Sequence, residues 1–453
     1  MRLYNTLSRE NQNFDLTKNT VNMYVCGITP YDSAHLGHAM SAIAFDVIRR
    51  YLEFRGFKVN YIQNFTDVDD KMIKAANLQN IEVSELADKN IAEYLNELKT
   101  LNVKVATKYP KATEEIPAII DLITQLIEKE CAYEVEGDVY FRVNSDEDYG
   151  KLSNRKVQDL LAGARLEIDE NKEFPADFAL WKKHKEGEPF WASPWGNGRP
   201  GWHIECSAMA LKYLGDSIDI HGGGLDLVFP HHENEIAQSE SATGKVPFAD
   251  FWVHNGTLGY GQEKMSKSIG NVFSIASALE KFSPDSLRMF FLSSHYRSPL
   301  VFSDIAVNSQ EKALDRLRNA LKVQSQNGQE LDVQTYVDRF IEAMDDDFNT
   351  PIALSVLFDL SRDINREATD GKNVTKAKST LLELSNVLGV KLDSKKNDKN
   401  SDVHEFIDLL IDLRSLMRNK KDFESSDLIR DRLTDLGVKL EDSSGETHWD
   451  WID

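Results

Sequence analysis

Cysteine is nearly missing from this chain: three residues in 453, at 26, 131 and 206. So few, so far apart, build no disulfide framework, and a reducing cytoplasm is the simplest compartment to expect. No apolar run reaches the roughly 18 residues of a membrane-spanning helix, so no membrane association is expected. The N-terminus, M-R-L-Y-N-T-L-S-R-E, lacks the apolar core of a signal peptide. Positive charge is also short, with 53 Lys/Arg against 74 Asp/Glu and a net charge of −21. That argues against general nucleic-acid affinity and obliges any RNA partner to be met by a local basic face. Internal repeats are absent. What remains, 41% hydrophobic and 28% charged residues, is ordinary for folded proteins and long enough for about two to four domains.

One stretch organises the rest. Cys26–His38 reads C-G-I-T-P-Y-D-S-A-H-L-G-H. Thr20–Cys26 alternates Val21, Met23 and Val25 with polar neighbours, as a strand does; Gly27 and Pro30 mark a turn. A helix starts near His35, carries Met40, Ile43, Ala44, Val47, Ile48, Tyr51 and Leu52 at helical spacing, and stops at Gly56. Strand, polar turn and helix are how α/β proteins present a nucleotide site. His35 and His38 share one face of the first turn, and Gly37 lets a flat base approach the backbone. Alone, the string is equally a pair of histidine caps. About two hundred residues on, Lys264–Ser268 reads K-M-S-K-S after a glycine-rich lead. Two lysines three apart suit a polyphosphate that gathers charge in a transition state; a solvated Ser/Lys loop is the plainer reading.

The two strings in this order resemble the class I aminoacyl-tRNA synthetases, and within them the cysteinyl family. The resemblance implies an α/β, Rossmann-like catalytic domain in two halves (1–114 and 201–260) split by a connective-peptide insertion (115–200). It implies a K-M-S-K-S loop with a stem-contact segment (261–304), a helical bundle on the anticodon side (305–390), a linker (391–400) and a C-terminal anticodon-binding module (401–453). The activity implied is cysteine–tRNA ligation. L-cysteine and ATP, with Mg²⁺ carried in by the nucleotide, give cysteinyl-adenylate, and tRNA(Cys) accepts the aminoacyl group. His35, His38, Lys264 and Lys267 take the catalytic roles; Gly37, Asp226 and Lys267 bind ATP; Gly27, Thr66 and Trp202 line the amino-acid pocket. A cytoplasmic monomer is expected.

Four further residues stand where the cysteinyl family holds one zinc ion: Cys26, Cys206, His231 and Glu235. Taken singly, each cysteine reads as a small buried apolar residue and the His/Glu pair, four apart, as a surface pair. Together, two thiolates, an imidazole and a carboxylate suit zinc. Cys206 is expected in a Trp-rich loop and Pro230 at the first position of a helix carrying His231 and Glu235. Cys131 has no such context and reads as structural. Asp67, Asp69 and Asp70 lack the glycine and late glutamate of a calcium loop and read as a capped helix start.

Residues 401–453 carry seven Lys/Arg against fourteen Asp/Glu and read as two helices and a tail. Six of the seven basic residues fall between Arg414 and Arg432. Arg414, Arg418 and Arg430, with Trp449 in the tail, are the candidate tRNA contacts; a solvated helix pair with tryptophans in a small core is the alternative. Two rival functions remain. A zinc-dependent ligase joining cysteine to an amino-sugar, as in mycothiol synthesis, needs no C-terminal module. A non-catalytic tRNA-binding paralogue needs no intact H-L-G-H or K-M-S-K-S.

Overall fold

A computed structural model of the chain describes residues 1–156, 171–260, 263–264, 273–392, 399–443 and 446–451. Its centre is a four-stranded parallel sheet. Strand β1 (Thr20–Ile28) leads through α1 (Leu36–Phe54) to β2 (Lys58–Phe65). After an insertion, α2 (Trp202–Leu214), β3 (Ile218–Gly224), α3 (Glu233–Thr243) and β4 (Ala249–Asn255) complete it. The strand order is β4-β3-β1-β2. The chain leaves β1 toward one edge and β3 toward the other, so the crevice beyond their carboxyl ends is the topological switch point at which α/β sheets bind ligands. The carboxyl ends there are Cys26–Ile28 and Gly222–Gly224.

Helices cover both faces of this sheet, which is why β1 is buried almost throughout rather than alternating. Val21, Met23 and Val25 enter one core with α1's Ile43, Phe45 and Val47; Tyr24 and Cys26 enter another on the opposite face, with Cys206 and Trp252. Each fully buried large side chain contributes about 1.5–3 kcal/mol. The helix expected to open at Pro230 begins instead at Glu233. Phe229 has an extended backbone (φ −140°, ψ 131°) that interrupts Val228–His232, so His231 sits on an irregular turn ahead of α3.

The insertion is mixed α and β. Helix Ile116–Glu128 precedes an antiparallel sheet of Ala132–Val135, Asp138–Phe141, Phe178–Lys183 and Gly198–Pro200. Its apolar interior runs on into Ile204, Ala208, Ala237 and Ala242 of α2 and α3. Beyond the site, helices Pro284–Leu292, Asp304–Lys322, Gln334–Asp345, Thr350–Thr369 and Thr375–Val387 pack a bundle whose core is continuous with that of α1.

The chain divides into two compact units at Leu392/Asp393. The second has helices Lys399–Asn419 and Phe423–Asp435. The expected tail is a β-hairpin, Val438–Ser443 paired with Glu446–Trp451. Alternation of Val438, Leu440 and Trp449 with charged residues gives that hairpin an apolar side. It closes a small core of Ile407, Ile411, Leu433 and Val438, against which Trp449 packs.

Candidate active site and metal centre

Helix α1 begins with a cap made by two histidines. His35 is the N-cap, and its Nδ1 accepts from the Gly37 N–H at 3.1 Å; His38 Nδ1 accepts from the His35 N–H at 3.2 Å. This reciprocal arrangement satisfies backbone donors that a helix start otherwise leaves without partners. It stacks the rings, with centroids 3.7 Å apart at 16°. Because both Nδ1 atoms accept, each neutral ring carries its proton on Nε2. A side chain at position 37 would press on the His35 imidazole at 2.9 Å, so glycine leaves both rings their stacked position.

Both rings line a cavity of about 480 Å³ at the switch point, with Cys26, Gly27, Gly37, Trp202, Asp226 and Gly256 among its other walls. Gly27 is fixed by its N–H donating to Asn64 Oδ1 at 2.9 Å. Thr66 is buried and outside this lining; its hydroxyl accepts from Asn64 Nδ2 at 3.4 Å, and it lies behind the wall rather than on it. Lys267 and most of K-M-S-K-S lie outside the described residues. Lys264 is placed by its backbone alone, in the short strand Glu263–Lys264 paired with Leu258–Tyr260.

Cys26, on the cavity wall, converges with Cys206, His231 and Glu235. All four are buried, and one ligand atom from each lies within 4.8 Å of the others. The sulfurs are 3.6 Å apart; Glu235 Oε1 is 3.2 Å from Cys26 Sγ and 3.1 Å from His231 Nε2. Two sulfurs on one tetrahedral zinc, each at about 2.3 Å, stand about 3.8 Å apart, so spacing and donor set both fit zinc. Cys206 lies inside α2, one turn beyond Trp202, not in a loop: the glycine- and proline-rich stretch ends at Gly201, the N-cap. Trp202 is stacked on His231 (4.4 Å, 28°) and keeps 39% of its surface exposed.

Electrostatics inside the cluster follow from burial and crowding. Burial raises the Cys26 thiol, and the neighbouring Cys206 and Glu235 push it further up. Burial opposes ionising Cys206, yet its bond from Cys26 and the charge of His231 bring it down to about 6. Burial likewise works against His231, but Cys206 and Glu235 raise it to about 10. Glu235 is desolvated and still held well below the usual carboxylate range by His221 and His231. Of the two thiols, Cys206 is thus the one whose surroundings favour the anion that metal ligation requires.

Two residues here carried no recognisable sequence signal. His221 Nε2 bonds Glu235 Oε2 at 2.8 Å, stacked on Trp252 at 4.3 Å. His232 Nδ1 bonds His254 Nε2 at 2.8 Å, and His254 Nδ1 pairs with Thr6 Oγ1 at 2.8 Å. Cys26, His221, His232 and Glu235 also cluster closely enough to share an ion. Burial keeps His232 and His254 neutral, the latter near 3. The set with two sulfurs suits zinc better.

A larger cleft, about 790 Å³, adjoins the cavity and shares Thr29, Lys71 and Trp202 with it. Lys71, Lys172, Lys182, Lys183, Lys185 and Arg199 line it against Asp69, Asp70 and Asp138, with Tyr140 and Phe178 between. This is a basic face on an acidic chain. In the second unit Arg418 and Arg430 are exposed, Arg430 3.3 Å from Asp427, but Arg414 is buried at 2%. Trp449 is half-buried in the small core, its Nε1 donating to Asp408 at 2.9 Å.

A family model described as the tRNA synthetases class I (C) catalytic domain matches residues 12–312, and the DALR domain matches 339–393. A cysteine–tRNA ligase of Dehalococcoides mccartyi is 52% identical over 453 residues, covering 99% of each chain. This chain belongs to the cysteine–tRNA ligase family. The family's members from Carboxydothermus hydrogenoformans (48% over 464 residues, 99% of each chain) and Caldicellulosiruptor saccharolyticus (50% over 459, 98% of each) are similar along their whole length as well. Among solved structures, Mycobacterium tuberculosis methionyl-tRNA synthetase in complex with methionyl-adenylate matches with a TM-score of 0.61 at 16% identity, over 82% of this chain and 90% of that one. A putative arginyl-tRNA synthetase from Campylobacter jejuni gives 0.53 at 12%, over 82% and 91%. At those identities the likeness is one of fold.

Proposed function

We propose that this chain activates L-cysteine with ATP and transfers it to tRNA(Cys), selecting cysteine over serine through a zinc ion held by Cys26, Cys206, His231 and Glu235. The observation that carries this reading is the buried two-thiol, imidazole and carboxylate cluster opening on the cavity that His35 and His38 line. A zinc ion so held would deprotonate the thiol of an incoming cysteine, a contact that serine's hydroxyl does not reproduce. A site that demands one specific polar contact rejects an analogue lacking it by about 10⁴ or more.

In the first step the substrate carboxylate attacks the α-phosphorus. A carboxyl-O–P bond forms, the Pα–O–Pβ bond breaks and pyrophosphate leaves. No protein nucleophile is needed, and the chain contributes position and charge. His35 and His38 offer Nε2–H donors, and the start of α1 favours an anion. Lys264 and Lys267 neutralise departing pyrophosphate. Asp226 accepts from a ribose hydroxyl or the substrate amine, and Trp202 lies over the amino-acid side. In the second step a terminal ribose hydroxyl of tRNA attacks the carbonyl carbon and AMP leaves. The basic cleft meeting the cavity at Lys71 and Trp202 suits the single-stranded acceptor end, through phosphate contacts and stacking. Arg418 and Arg430 are the exposed candidates for anticodon-side contacts.

The deciding assay is cysteine-dependent ATP–pyrophosphate exchange, followed by tRNA charging. Exchange with cysteine and none with serine, together with charging of tRNA(Cys), is expected. Exchange without charging would favour the amino-sugar ligase.

A further inference from the structure

Between helices Gln334–Asp345 and Thr350–Thr369 the chain turns through Asp347 and Phe348, both in the left-handed region (φ +56° and +53°) and both buried, at 3% and 1%. Successive non-glycine residues in that conformation persist only where their surroundings over-determine them. Here the surroundings are a convergence on one carboxylate. Asp347 Oδ1 accepts from the Tyr4 N–H and the Tyr296 hydroxyl, each at 2.9 Å, and Oδ2 accepts from Arg297 Nε at 2.7 Å. Its N–H donates to the Arg2 carbonyl, and its own carbonyl lies 2.9 Å from His295 Nε2. Arg297 is further seated over the Tyr4 ring, 4.2 Å from its centroid.

The segment so gripped, 295–298, touches the cavity wall. The Tyr296 carbonyl accepts from the Gly256 N–H at 2.8 Å, and the Leu300 N–H donates to the Thr257 carbonyl at 2.9 Å. Approach is so close that a Cβ on Gly256 would lie 2.4 Å from the Ser298 carbonyl oxygen. Asn255, Gly256, Thr257 and Leu258 line the cavity beside His35 and His38. Leu258–Tyr260 pairs with Leu300–Phe302 on one side and with Glu263–Lys264 on the other.

We infer that Asp347 is a positioning residue for the nucleotide side of the active site: from a turn in the bundle it fixes segment 295–298, which fixes the Gly256–Leu258 wall and the strand entering K-M-S-K-S. The bonds of Cys26, Cys206, His231 and Glu235 to one another do not involve segment 295–298 or the Gly256–Leu258 wall, so the effect is selective for ATP. This inference rests on the adenylate-forming reading above.

The test is Asp347→Asn, which keeps size and tolerance of the left-handed turn but confronts three donors with a carboxamide. In cysteine-dependent exchange its KM for ATP is expected to rise about tenfold, with cysteine KM and zinc content unchanged. Tyr296→Phe, which removes one hydroxyl, is expected to raise KM for ATP about threefold and serves if the first variant folds poorly. The double variant should be no worse than Asp347→Asn alone. A uniform loss of kcat with both KM values unchanged, or an equal rise in both, would overturn the inference and leave Asp347 a packing residue. A wild-type chain without exchange would count against the proposed function instead. Equilibrium ATP binding to wild type and Asp347→Asn would then still decide the inference, equal affinities overturning it.

Discussion

His35 and His38 each do two things with one ring: Nδ1 closes the start of α1, and the opposite nitrogen keeps a proton for the cavity. Cys206 has a similar double dependence, since it is both a core residue of α2 and a sulfur 3.6 Å from Cys26. Cys206→Ser nearly conserves volume, so the fold should persist. Zinc content by elemental analysis should fall to well below one per chain, with cysteine affinity lost in parallel and ATP binding retained. Undiminished zinc would remove Cys206 from the ligand set. Glu97 makes a prediction of opposite kind. Burial, then the charge of Glu93, raises its carboxyl to about 7 although it accepts from the Ala276 N–H. A carboxyl raised in the fold favours the folded state in its protonated form, so that contribution declines as pH rises from the ordinary carboxylate range through about 7. Glu97→Gln should therefore be near neutral at pH 5 and stabilising at pH 8, by about 1 kcal/mol or less because the group is half-exposed. Paired thermal melts at the two pH values check it; equal shifts at both would show that the charge is not the cause.

At the scale of elements, α1 is held by a buried ion cluster as well as by apolar packing. Asp46, on α1, accepts from Arg50 at 2.8 Å, from the Lys104 N–H at 2.8 Å and from Arg288 of helix Pro284–Leu292. Arg288, fully buried, also donates to the Leu388 and Leu101 carbonyls at 2.7 and 3.0 Å. Asp46→Ala leaves two guanidinium groups in the interior without their carboxylate and should cost about 3–5 kcal/mol, read by chemical denaturation. A loss below about 1 kcal/mol would mean that the carbonyls suffice. None of this was legible in the chain, because Asp46 and Arg288 are 242 residues apart and periodicity marks only the apolar face of α1. What was legible was local: the strand carrying the cysteine, though it runs on to Ile28 rather than ending there, the helix start at His35, and the aspartate cap at Asp69, which accepts from the Met72 N–H at 2.7 Å. The Phe229 kink hid the start of α3, since an X-Pro-His-His string looks like a first turn. Spacing made Arg414 and Arg418 one face, but it could not say that Arg414 is buried while Arg418 stays exposed. His221 and His232 escaped notice because a buried histidine has no periodic partner; only the fold places them on Glu235 and His254.

At the scale of the whole molecule the chain falls into two units, each with a core of its own. Residues 1–392 form one unit containing every described group argued to act on ATP or cysteine, and Val390 and Leu392 are already buried in its core. Residues 393–453 form the other, with a separate small core around Ile407 and Leu433. The net charge of −21 leaves long-range attraction of RNA to local surfaces: the lysine-lined cleft beside Trp202 in the first unit, and Arg418, Lys420 and Lys421, all exposed, in the second. If the second unit reads unpaired bases, each stack is worth about 1–3 kcal/mol, and two such contacts at the weaker part of that range amount to roughly 10² in affinity. A chain ending at Leu392 should thus form cysteinyl-adenylate within a few-fold of the intact protein, since it loses no cavity wall and no core residue of the first unit. Its charging of tRNA(Cys), at tRNA concentrations near the intact protein's KM, should fall by about two orders of magnitude. Charging restored by excess tRNA would place the loss in binding, as argued. Charging unchanged at low tRNA would assign recognition to the first unit alone, whereas loss of adenylate formation would show that the second unit reaches into activation.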